Sequence, residues 1–124
     1  MSQADIEQIE LSIEHANALV EKGRLAEKLA KNKDFRKLIL EDYFVEEAAR
    51  LVLLFSDPAP EITPAVREAI KNDILAIGGL KRFLSAKVRM GHIAHRELGD
   101  FRETLEELRD EDDEGIQGEF EDLN

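Results

Sequence analysis

Apolar side chains return along this chain at helical intervals, and the intervals change character from one end to the other. Near the N-terminus Ile6, Ile9, Ile13, Ala16 and Val20 recur at alternating spacings of three and four, the mark of a helix that buries one stripe. Ser2 or Asp5 stands where a cap is needed. The spacing predicts a helix to about Ala30, weakened at Gly23 by roughly 1 kcal/mol relative to alanine. Asn32-Lys33-Asp34 reads as a stop followed by a new N-cap.

From Phe35 the positions Phe35, Leu38 and Ile39 predict about two turns of helix, and Tyr43, Phe44 and Val45 form a bulky cluster. Glu46 to Phe55 then continues as a strongly apolar helix through Ala48, Ala49, Leu51, Val52, Leu53, Leu54 and Phe55. Apolar on several faces, it is expected at the centre of the fold. Asp57-Pro58-Ala59-Pro60 ends it, because proline disfavours helical backbone in the residue before it and cannot donate to the ladder. Thr63-Pro64 restarts a helix with a hydroxyl cap and proline at the first helical position.

Downstream a seven-residue register runs almost without interruption. One position reads Ile70, Ile77, Leu84, Gly91, Leu98, Leu105 and its companion reads Asp73, Leu80, Lys87, Ala94, Phe101, Leu108. This favours a coiled-coil-like seam with imperfections at Asp73, Lys87 and Gly91. The fold class expected is all-α: the N-terminal and central helices form a hairpin, and the first half of a long C-terminal helix packs against it. A continuous helix from Pro64 to Asp110 would extend about 70 Å, whereas a compact domain of this length has a radius of gyration of about 14 Å. Either Gly78-Gly79 breaks or bends it, folding the halves onto the body, or the distal half projects and pairs with another copy or another protein. A projecting half makes Leu98, Phe101, Leu105 and Leu108 interface residues, since soluble monomers avoid exposing such a row.

Charge divides the chain further. Of a net −11, −10 lies in residues 103–124, which hold eleven acids against Arg109 alone. The organisation expected is therefore one helical domain over residues 1–109 and an acidic, flexible tail over 110–124. Within that tail Phe120 and Leu123 stand three apart after Gly115 and Gly118, an arrangement suited to a short docking peptide. The chain of 124 residues has no cysteine, which removes disulfides, thiol catalysis and cysteine-based metal sites. Its start, MSQADIEQIELSIE, lacks the basic and apolar regions of a secretory signal. The longest apolar run, Leu51–Phe55, is too short for a bilayer. A soluble protein without a membrane role is expected.

Candidate chemistry is thin. Asp110, Asp112, Glu114, Gly115 and Glu121 occupy the first, third, fifth, sixth and twelfth places of a calcium loop. Gln117 takes the place of the apolar anchor and no exiting helix follows, so the run reads as a solvated acidic segment. His92 and His95 stand three apart, but two ligands do not make a zinc site. Glu41, Asp42, Glu46 and Glu47 surround Tyr43 and read as a charged face rather than an acid/base pair. No serine sits in a glycine-framed elbow and no glycine-rich loop precedes a lysine. A non-enzymatic protein with no cofactor is expected. Lys81, Arg82, Lys87, Arg89, Arg96 and Arg102 would suit phosphate contacts, yet the more negative tail opposes direct nucleic-acid binding. A tail folding back on those bases would instead make a nucleic-acid mimic.

Three stretches carry a resemblance: DFRKLILEDYFVEEAARLVLLFSDP at 34–58, LAIGGLKRFL at 75–84 and ETLEELRDE at 103–111. Together, over roughly residues 6–113, the chain resembles a family of small helical proteins encoded by tailed bacteriophages. The resemblance implies a phage-encoded protein of the virion assembly module, found in the host cytoplasm and in the virion, and it brings no catalytic motif. The expected role is a structural or assembly protein that forms homo-oligomers or binds a virion component. The alternative is an acidic regulatory protein that occupies a basic site on a host or phage protein.

Overall fold

The computed structural model describes residues 3–57 and 61–122, with side chains described to residue 113. The architecture is all-α, with no strand among the described residues. An N-terminal helix (Gln3–Lys31) is followed by a central segment made of three consecutive pieces (Lys33–Phe35, Arg36–Glu47 and Ala48–Ser56) and a long helix (Pro64–Asp122).

Local chemistry sets the breaks. Asn32 turns to extended backbone (φ −67°, ψ 127°), and its side-chain oxygen accepts the Phe35 N–H at 2.9 Å. One asparagine thus ends the first helix and caps the next. The long helix opens as its sequence requires. Thr63 Oγ1 accepts the Val66 N–H at 3.2 Å, the Thr63 carbonyl accepts the Arg67 N–H at 2.9 Å, and Pro64 fills the first helical position. Gly78-Gly79 does not break the helix, and no glycine among the described residues has positive φ. Residues 110–122, expected beyond the helix end as a tail, carry helical backbone.

Between Arg36 and Glu47 the central segment winds as a π-helix, with i→i+5 hydrogen bonds that place more residues in each turn than an α-helix holds. Its half-buried positions recur in pairs every four residues: Ile39-Leu40, Tyr43-Phe44, Glu47-Ala48. Leu38, expected on the buried face, is instead 63% exposed.

The chain divides into two compact units, Met1–Gly23 with Arg89–Asn124, and Arg24–Val88. In the first, the expected N-terminal stripe is the buried face: Ile6 and Ala16 are buried and Ile9, Ile13 and Val20 half-buried. Ala16 meets Ala94 and Leu98, with Ile13, Leu19, Val20 and Phe101 packed around them. Two glycines bring these helices together. A Cβ on Gly91 would lie 2.9 Å from Gly23 Cα and 3.3 Å from the Leu19 carbonyl oxygen, closer than real Cβ contacts come. Only glycine fits there.

In the second unit Leu51, Ile70 and Ile77 form the buried centre, flanked by Tyr43, Phe44, Ala48, Leu54, Phe55, Ile62 and Ile74. Arg67 fastens the end of the central segment: its guanidinium carbon lies 4.1 Å from the Phe55 ring centroid, and Nη1 donates to the Phe55 carbonyl at 3.0 Å. The expected hairpin of N-terminal and central helices is therefore not what the clusters form. Each of those elements buries its apolar residues against its own portion of the long helix.

Candidate protein interface

The long helix covers, wholly or in part, one position of the seven-residue register read from the sequence and only part of its companion. Ile70, Ile77, Gly91 and Leu98 are buried, and Leu84 and Leu105 are half-buried. In the companion position Ala94 and Leu108 are buried and Phe101 is half-buried, whereas Asp73 and Leu80 are exposed. Of the expected interface residues, Leu98 (3% exposed) and Leu108 (7%) are buried within the chain, and Phe101 packs on the Ala16 cluster. Of the other three expected interface residues, Leu105 is half-buried, Phe120 lies on helical backbone with its side chain outside the described ones, and Leu123 lies outside the described residues.

The free apolar surface lies elsewhere. Thirteen large apolar side chains are exposed among the described residues, and ten of them fall within 24–88: Leu25, Leu29, Leu38, Val45, Val52, Leu53, Val66, Leu75, Leu80 and Phe83. Leu53 is 67% exposed and Val45 62%. The central segment, expected to be enclosed because it is apolar on several faces, has only Leu51 fully buried. Exposed apolar side chains are thus concentrated, among the described residues, in one unit.

Part of it forms a groove. Leu38, Ile39, Tyr43, Leu51 and Ala76 line a cavity of about 500 Å³, edged by Asp42, Glu47 and Asp73. A second depression, about 480 Å³, shares Leu38 and Asp42 with it and is bordered by Asp34, Lys37, Glu41 and Glu46. The carboxylates around Tyr43 thus form an acidic edge to an apolar floor. Glu47 accepts hydrogen bonds from Nε and Nη2 of Arg50. That hydrogen bond, with the charge of Arg50 behind it, holds the Glu47 carboxyl below its ordinary value against the desolvation that raises it. This is the reverse of what a general acid needs at neutral pH.

The remaining candidates do not converge on a site. His92 and His95 are both exposed, and no group of three metal-ligating side chains occurs among the described residues. The calcium-loop match at 110–121 falls on helical backbone rather than a loop. No described helix is long and apolar enough to cross a membrane. A signal for the exposed surface was present in the sequence, since an all-round apolar helix is also what a helix covered by a partner looks like. The chain matches no protein-family profile, no curated protein and no solved structure.

Proposed function

We propose that this chain is a non-enzymatic assembly protein that self-associates through the apolar surface of residues 24–88. The observation that carries the reading is the contrast between the two units. Among the described residues one leaves three large apolar side chains exposed and the other ten. A tailed-phage context, with a virion component as the other occupant of that surface, rests on the resemblance at 34–58, 75–84 and 103–111.

Sedimentation of the full chain over a range of concentrations tests it. The expected result is a species that is a multiple of 14.1 kDa, shifting toward the monomer when Leu38 and Leu53 are both replaced by glutamate. A wild-type chain that stays at 14.1 kDa throughout overturns self-association and turns the search toward a virion component.

A further inference from the structure

The groove beside Tyr43 has a chemistry that selects its occupant. Its floor is apolar, and one wall is built by the π-helical turns of Arg36–Glu47, a rare winding that recurs at functional sites. Six carboxylates border it and the depression that shares Leu38 and Asp42 with it: Asp34, Glu41, Asp42, Glu46, Glu47 and Asp73. Lys37 stands among them and Arg50 is hydrogen-bonded to Glu47, so two positive charges meet six negative ones. An apolar floor with a negative rim fits a helix whose exposed apolar side chains are accompanied by bases alone.

The same chain carries such a helix. Residues 74–96 hold no aspartate or glutamate and five bases, Lys81, Arg82, Lys87, Arg89 and Arg96. Within that stretch Phe83 is 58% exposed and Leu80 37%. Lys87 Nζ stands 5.1 Å from the Phe83 ring centroid, so an aromatic knob has a positive charge beside it. Asp73, Ala76, Leu80, Phe83 and Lys87 recur at spacings of three and four, so one side of the helix carries part of the acidic groove and then the basic apolar stretch. The helix is unbroken through Gly78-Gly79 and holds Phe83 about 10 Å beyond Ala76 along its axis. Phe83 accordingly does not line its own chain's groove, whereas the Phe83 of another copy is free to enter it.

We infer that the acidic groove of one copy receives the 80–87 stretch of the long helix of a second copy, with Phe83 seated on the floor between Tyr43 and Ala76 and Lys87 against the carboxylate rim. The inference rests on the self-association proposed above and names its two surfaces.

Sedimentation of full-length variants tests it. Phe83→Ala removes the aromatic anchor and is expected to weaken association about tenfold or more. Leu75→Ala is the control: Leu75 is 59% exposed but lies about 80° round the helix from Phe83, and its loss is expected to leave association unchanged. Glu41→Lys with Asp42→Lys in one chain reverses the rim, and Lys87→Glu in another reverses the stretch. Each is expected to associate more weakly than the wild type, and an equimolar mixture of the two to recover association, because the reversed groove then meets the reversed stretch. All these positions are exposed or half-buried, so circular dichroism should show native helicity throughout. If the wild type is oligomeric, any one of three results overturns the groove contact while self-association stands: Phe83→Ala without effect, Leu75→Ala as damaging as Phe83→Ala, or a charge-reversed mixture no better associated than its components. A monomeric wild type overturns both.

Discussion

At the scale of single residues, the glycines separate by what surrounds them. Alanine for glycine inside a helix ordinarily stabilises by about 0.5–1 kcal/mol. At Gly99 a Cβ would meet nothing within 4 Å, so Gly99→Ala is expected to raise stability by that amount. At Gly91 the same Cβ would press on the backbone of Gly23 and Leu19, which cannot swing aside as a side chain can. Gly91→Ala is expected to cost about 1–3 kcal/mol net, the usual penalty for overpacking. Urea denaturation of the two variants side by side checks this, and equal effects would refute the close approach. Both Gly23 and Gly91 were legible as anomalies in the sequence. That they face each other was not, because two positions 68 residues apart on different helices share no periodicity. Glu47 offers a second test at this scale. Its folded value lies below the unfolded one, so its ionised form contributes stability above the ordinary carboxylate range, lost as pH falls through the folded midpoint. Carbon-detected titration should place its midpoint below 4.5, and Arg50→Ala should return it toward that value.

Among elements, the legible ones were those whose start, stop and period are written locally. The Thr63-Pro64 opening is such a case. Losing the Thr63 hydroxyl leaves the Val66 N–H without its acceptor, so Thr63→Ala is expected to lower stability by about 1 kcal/mol, read by thermal or urea unfolding. Thr63→Asn should restore most of it. The N-terminal stripe and the seven-residue register were legible for the same reason, since an α-helical period maps sequence directly onto a buried face. The central segment was not. Its turns between Arg36 and Glu47 are wider than the α-helical template assumes, so the template assigned Leu38 to the covered face when it is exposed. The pairing of elements was equally out of reach. A stripe states that a face is covered and not which helix covers it, and so the row from Leu98 to Leu108 served equally well as an interface or as a core.

For the whole molecule that ambiguity has a measurable form, because the buried leucines and the exposed apolar side chains proposed for association are different residues. Leu98 is buried with Ala16 and Ala94, and truncating such a leucine removes its apolar contacts and leaves a cavity behind. Leu98→Ala is expected to cost about 2–5 kcal/mol of stability. Under conditions where this variant remains folded, its associated mass should match that of the wild type. Leu53 is two-thirds exposed, so a charge placed there is solvated in the free chain and buried only if a partner covers it. Leu53→Glu is expected to change the stability of the isolated chain by no more than about 0.5 kcal/mol and to weaken association at least tenfold. Unfolding and sedimentation measured on the same two proteins decide the matter. If Leu98→Ala disperses the oligomer while staying folded, and Leu53→Glu leaves it intact, the interface belongs on the distal half of the long helix after all.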